Sequence, residues 1–255
     1  MNQASLPALF SPRACALFLD LDGTLIDFGN APMDVEVSPP LLALLGDVRD
    51  ATEGALAIVS GRSITTIDAL LAPMSLPLAG MHGLERRAAD GRVHRHATDT
   101  DSAVEAVSQR LHAFAAQHAG LLVEDKGLGV ALHYRAVPGY ADTVAAFADD
   151  LEASLADDLI IQRGHMVVEI RPAGADKGTA IAAFMHEAPF HGRQAVFVGD
   201  DRTDEHGFAV VNAMHGSTIK VGAGSTVAAA RLPDPAAVIC WLGDSIDLIR
   251  TKRIG

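Results

Sequence analysis

Cysteine is nearly absent from this 255-residue chain, which has only Cys15 and Cys240. Both lie in apolar segments, so the expectation is two reduced, buried thiols and no disulfide framework. Two sulfurs also cannot build a cysteine-rich zinc site. Positive charge is scarce as well. Twenty Lys and Arg face 32 Asp and Glu, for a formal net charge of −12, and no run of basic residues could track a phosphate backbone, which argues against nucleic acid as a partner. No uninterrupted apolar stretch reaches the roughly 18 residues a membrane helix needs. The opening residues lack the basic region of a secretory leader. The reading is a soluble cytoplasmic protein without membrane contact, with a monomer as the default expectation.

What is present is apolar and patterned. At 49% hydrophobic residues the chain can bury sizeable cores. Short, near-continuous apolar runs at 16–20, 55–61, 195–200 and 218–222 read as strands covered on both faces. Helical patterns at 39–53, 63–73, 177–188 and 203–214 alternate with them. Strand alternating with helix predicts an α/β fold with a doubly wound parallel sheet, whose ligand site lies beyond the carboxyl ends of the strands. The middle reads differently: a helix, a strand pair, a second helix and a second strand pair, the pairs joined by tight turns. In these strands Val130 and Leu132 oppose Ala131 and His133, and Val168 and Ile170 oppose Glu169 and Arg171. This is an α+β domain with one wet sheet face. The expected organisation is a core of 1–86 and 173–255 with an inserted domain of 87–172.

Carboxylates sit where a buried strand should end. Asp20 closes the first apolar run, Asp22 follows two residues on, and Gly23 permits a close turn. The run "VFVGDDRTDE" brings Asp200, Asp201, Asp204 and Glu205 to the end of another strand. In a parallel sheet both ends open onto one edge, and like charges gathered there repel unless a cation lies among them. Hard oxygen donors without histidine or thiolate favour Mg2+. Ser60 ends a further strand beside a helix start, an arrangement suited to anions. Lys177 stands in the first turn of a helix, a poor place for a cation unless its charge is used elsewhere. A carboxylate nucleophile, an ammonium, a hydroxyl and a cation together describe phosphoryl transfer through an aspartyl-phosphate. Taken singly, the acids fit capping turns and Ser60 fits a helix cap equally well.

The ordered set of "DLDGT" at 20–24, Ser60, Lys177 and "GDDRTD" at 199–204 resembles the four motifs of the haloacid dehalogenase-like phosphatases. Within that superfamily, "GMHGLE", "VEDKGLGVALHYR", "VVEIRP" and "VGDDRTDE" are similar to the trehalose-6-phosphate phosphatases. The resemblance implies a Rossmann-like core with an inserted cap that selects the substrate. It implies Asp20 as nucleophile and Asp22 as general acid and base. Mg2+ would be held by Asp20, the Asp22 main-chain carbonyl and Asp200, with Asp204 and Asp201 completing or orienting the shell. Ser60 and Lys177 would bind the phosphoryl oxygens, Thr24, Gly61, Arg62 and His82 would add substrate contacts, and Glu124, Lys126 and Glu169 would read the sugar. His82 and Glu85 either touch substrate or fix their loop. The implied activity is Mg2+-dependent hydrolysis of trehalose 6-phosphate. Rivals are another sugar phosphate such as sucrose 6-phosphate or a hexose phosphate, a silent sugar-phosphate-binding regulator, and a phosphotransferring receiver domain, which the insertion and Asp22 oppose. "VGAGST" at 221–226 lacks the third glycine of a dinucleotide fingerprint.

Overall fold

The computed structural model describes residues 11, 14–27, 35–96, 100–164 and 166–252. Its elements are, in chain order, β1 (Cys15–Leu19), α1 (Pro39–Ala51), β2 (Leu56–Val59), α2 (Ile64–Leu71), β3 (Leu78–Gly80), β4 (Glu85–Arg87), β5 (Val93–Arg95), α3 (Asp101–Ala115), β6 (Leu122–Asp125), β7 (Val130–His133), α4 (Ala141–Glu152), β8 (Leu159–Gly164), β9 (Val167–Pro172), α5 (Lys177–Met185), β10 (Gln194–Gly199), α6 (Asp204–Ala213), β11 (Ser217–Val221), β12 (Ala230–Leu232) and α7 (Pro235–Lys252). They fall into two units.

The larger unit is built on one sheet ordered β12-β11-β10-β1-β2-β3-β4-β5. Pairing is parallel from β12 to β3 and antiparallel at β4 and β5. One face buries Leu17, Leu19, Ile58 and Val198 against α1, α2 and α7 through Leu45, Ile67 and Trp241. The other buries Phe18, Val59 and Phe197 against Ile181 and Phe184 of α5 and Phe208 of α6. Covering on both faces is why these strands carry no polar alternation.

Two expectations change here. The expected domain boundary at residue 87 falls inside this sheet, because Arg87 belongs to β4 and β5 pairs with it, so the smaller unit begins at His96 and ends at Ala175. The strands "ERR" and "VHR" carry no apolar signal. Their side chains make two forks instead: Arg87 to both carboxylate oxygens of Asp68 at 2.7 Å, and Arg86 to both of Glu187 at 2.8 Å. Cys15 is buried, but Cys240 is exposed, since α7 turns Val238, Trp241 and Leu242 to the core and leaves residue 240 on its outer side. Among the described residues no helix is long and apolar enough to cross a membrane.

The smaller unit is a four-stranded antiparallel sheet ordered β6-β7-β9-β8, with α3 and α4 on one face. Val130, Leu132, Val168 and Ile170 pack there against Leu111, Val144 and Leu151. On the opposite face Glu124, Ala131, Glu169 and Gln162 stand side by side across all four strands.

Candidate active site

Leu19 of β1 lies beside Val198 of β10, so Asp20 and Asp200 leave the sheet at the same edge. The loop after β1 is fixed by its apolar members: Leu21, Leu25 and Ile26 are buried in the core, which aims Asp20 and Asp22 away from it. Gly23 has φ +77°, and a Cβ there would overlap the Asp200 carboxylate, so the turn and the close approach both require glycine.

Lys177 begins α5, held by the capping box of Asp176 and Thr179. Its Nζ lies 2.8 Å from Asp20 Oδ1 and 2.7 Å from Asp204 Oδ1. All three residues are buried, at 2%, 4% and 0% exposure for Lys177, Asp20 and Asp204. The second oxygen of Asp204 accepts the N–H groups of Asp200 and Asp201 at 2.8 and 2.9 Å, which shapes the loop after β10. One carboxylate oxygen each from Asp20, Asp200 and Asp204 gathers within 4.8 Å of the others. Three acids against one ammonium leave excess negative charge in a buried site. Burial and the acids around it push the Asp20 carboxyl well above its usual range despite Lys177, and burial with Asp204 and Asp201 pushes Asp200 up to about 7. Burial opposes the Lys177 charge, but Asp20, Asp204 and Asp201 more than offset that and hold the ammonium protonated. A divalent cation among the three oxygens would offset the mutual repulsion that adds to burial in raising these carboxyls, so the donor set fits Mg2+.

Two further acids behave differently. Asp201 is taken up by the N–H and hydroxyl of Thr203, both at 2.6 Å. Burial pushes its carboxyl up, but Lys177 and these bonds outweigh that and hold it low. The carboxylate of Asp22 stands apart from the cluster, since both its oxygens accept from Arg62, from Nε and a terminal nitrogen, each at 2.6 Å.

Arg62 belongs to the loop that Ser60 opens. Ser60 is fully covered and accepts the Arg62 N–H on its hydroxyl at 3.1 Å. The helix cap is Ser63, which accepts the Thr66 N–H at 3.2 Å, so capping does not account for Ser60. The segment after β3 clasps this loop: the His82 and Met81 N–H groups donate to the carbonyls of Ser60 and Arg62 at 3.0 and 2.9 Å. Both donors are left-handed, with φ +55° and +48°, a conformation that costs about 1 kcal/mol or more per non-glycine residue. The His82 ring stands where a Cβ on Gly61 would be, and Glu85 accepts the Ile64 N–H at 2.5 Å. Thr24 is buried and its hydroxyl reaches Asp200 Oδ1 at 3.5 Å. Asp20, Asp22, Thr24, Ser60, Gly61, Arg62, His82, Lys177, Asp200 and Asp204 therefore share one edge of the larger unit.

Glu124, Lys126 and Glu169 belong to the smaller unit, on the polar face of its sheet. Lys126 Nζ lies 3.1 Å from Glu169 Oε2, and His133 Nε2 lies 2.8 Å from Glu124 Oε2. Burial pushes Glu124 up, but His133 and Lys126 outweigh it and lower the carboxyl. His133 is the residue that sequence reasoning did not place, and of the two roles left open for Glu85 the loop-fixing one is seen in its bond to the Ile64 N–H. His133 shows only the period of a wet sheet face, and the Glu85 bond spans 21 positions.

The fold is that of the haloacid dehalogenase-like hydrolases. A haloacid dehalogenase-like hydrolase from B. subtilis superposes with a TM-score of 0.65 at 14% identity, over 89% of this chain and 99% of its own. The C-terminal domain of trehalose-6-phosphate phosphatase from C. albicans reaches a TM-score of 0.82 at 22% identity, over 92% and 93%. At those identities the likeness bears on the fold alone. Residues 18–233 match the trehalose-phosphatase family. Trehalose-6-phosphate phosphatase of Escherichia coli (strain K12) is 44% identical over 239 residues, 93% of this chain and 89% of the relative. The chain belongs to the trehalose-phosphatase family.

Proposed function

We propose that this chain hydrolyses trehalose 6-phosphate to trehalose and phosphate through a phosphoryl group carried on Asp20. The observation that carries the reading is Asp20 itself, a buried carboxylate held by Lys177 at a strand end, grouped with Asp200 and Asp204 and followed two residues later by Asp22. An Asp20 oxygen attacks phosphorus as the bond to the sugar oxygen breaks, and Asp22 gives that oxygen its proton. Water then attacks the phosphoryl group, Asp22 takes a proton from it, and Asp20 is released with inorganic phosphate, so the proton count closes over one turnover. Lys177 and Ser60 bind the phosphoryl oxygens. Asp20 and Asp200, with the Asp22 carbonyl, would hold Mg2+, and Asp204 would orient them. When bound, the ion would neutralise charge on the transferring group.

In the smaller unit, Glu124, Lys126 and Glu169 supply charged donors and acceptors for sugar hydroxyls, each of which both donates and accepts. The acidic balance supports a small-molecule partner rather than nucleic acid or membrane, and the two free thiols support a reducing, cytoplasmic setting. The test is phosphate release from trehalose 6-phosphate, sucrose 6-phosphate and glucose 6-phosphate in Mg2+. Trehalose 6-phosphate should be turned over fastest, and Asp20→Asn should abolish all release. Equal rates across the panel would remove the substrate assignment, and an active, folded Asp20→Asn protein would remove the mechanism.

A further inference from the structure

We propose that Arg62 is a positioning residue for Asp22, acting on the reaction through that carboxylate rather than by binding substrate; the inference rests on the acid and base roles given to Asp22 above. Asp22 stands on a loop, and a loop carboxylate turns about two side-chain bonds unless something holds it. The guanidinium of Arg62 meets it as a planar fork, two donors on two oxygens at 2.6 Å each, which fixes the plane of the carboxylate as well as its position. The fork leaves part of Asp22 open, with its side chain 23% exposed against 12% for Arg62. A held but accessible carboxyl group is what proton transfer to the leaving sugar oxygen and from the attacking water requires.

Arg62 is itself held at the backbone. Its N–H donates to the Ser60 hydroxyl at 3.1 Å, its carbonyl accepts from Met81, and two residues on the Ile64 N–H is tied to Glu85. The left-handed residues Met81 and His82 carry this clasp. Unfavourable backbone kept by its surroundings is a mark of a functional segment. It gives that strain a use here: the clasp sets the base of the Arg62 side chain, and the fork carries that registration to Asp22, 40 positions away in sequence.

The test is a double-mutant cycle on kcat and KM with Arg62→Gln, Asp22→Asn and the two together. Arg62→Gln should lower kcat for trehalose 6-phosphate about ten- to a hundredfold with KM within about threefold, the size of a lost charged hydrogen-bond pair. In the Asp22→Asn background the same change should cost less than about threefold, because nothing remains to be aimed. Arg62→Lys keeps the charge but not the fork and should stay several-fold below wild type; it also serves as the second variant should Arg62→Gln fold poorly. An equal loss with and without the Asp22 carboxylate, or a loss confined to KM, would make Arg62 a substrate ligand and overturn the proposal. So would full activity in Arg62→Lys. Wild-type turnover of trehalose 6-phosphate is measured first. If it is absent the substrate reading fails, and the cycle is run on p-nitrophenyl phosphate, where coupling between Arg62 and Asp22 in hydrolysis of the phosphoenzyme still decides the matter.

Discussion

Replacing Lys177 by Met keeps the length of the side chain and removes its charge. Two effects oppose each other. A cation in the first turn of α5 is unfavourable with the helix dipole, so its loss returns about 0.3–1 kcal/mol. Against that, Asp20 and Asp204 are buried and lose an ammonium at 2.8 and 2.7 Å. Breaking a buried pair from one side costs about 3–5 kcal/mol, so the second effect wins. For a chain of this size that is a fall in Tm on the order of 10 °C. The pH dependence has a definite sign. Lys177 is held protonated, with its pKa raised, so its own contribution is lost only at high pH and is present through the neutral range. Asp20 and Asp204 are raised above their unfolded values, so the folded state binds their protons more tightly and loses stability as pH rises. Without Lys177 that slope steepens, and the gap between variant and wild type widens from about pH 5 to about pH 8. Thermal melts in EDTA at both pH values measure it. A Lys177→Met protein melting within about 2 °C of wild type at the higher pH would refute the reasoning, as would a gap that narrows with pH.

Three further outcomes follow from the same geometry. Because burial and its acidic neighbours push Asp200 up to about 7, Mg2+ must displace a proton at low pH, so its effect on Tm should be larger at about pH 8.5 than at about pH 5.5. Calorimetric melts with excess Mg2+ or EDTA check this, and an equal effect at both would contradict it. Gly23→Ala adds a Cβ against the Asp200 carboxylate at a left-handed φ, which should lower kcat at least tenfold, at the cost of more than about 1 kcal/mol in a urea titration. His133→Ala frees Glu124 from its ring contact at 2.8 Å and should raise KM for trehalose 6-phosphate several-fold while p-nitrophenyl phosphate stays within about twofold; parallel losses on both would assign His133 to the fold.

What could be read in advance follows from where each signal comes from. β1, β2, β10 and β11 are covered on both faces, so burial alone writes a continuous apolar run into the sequence. The acids after β1 and β10 were legible because a charge ending such a run contradicts local expectation. β4 and β5 were not, because Arg86 and Arg87 are satisfied by Glu187 and Asp68, 101 and 19 positions away. The same reason hid the Arg62 fork and the Glu85 tie. Each needs two residues whose proximity the fold creates, and no local pattern encodes it. Ser60 and Ser63 show the finer limit: both hydroxyls suit the start of α2, and only the backbone decides that Ser63 is the cap.

The acidic edge also shows how residues of one type come to differ in role. Asp204 has little capacity left: one oxygen accepts two backbone N–H groups and the other an ammonium. Its lone pairs are largely spent on folding the loop after β10 and holding Lys177. An amide of the same shape could not replace it, because whichever end carried the NH2 would point donors at donors. Asp201 gives one oxygen, Oδ1, to the N–H and hydroxyl of Thr203. Asp22 is aimed by a fork. Asp20 and Asp200 are the acids whose oxygens meet at the cluster without being fully claimed by the backbone, and their carboxyls are the ones driven furthest toward accepting a cation or a proton. The division of labour among five aspartates is thus set by hydrogen-bond accounting at the strand ends, with the organising acids making the reactive ones available.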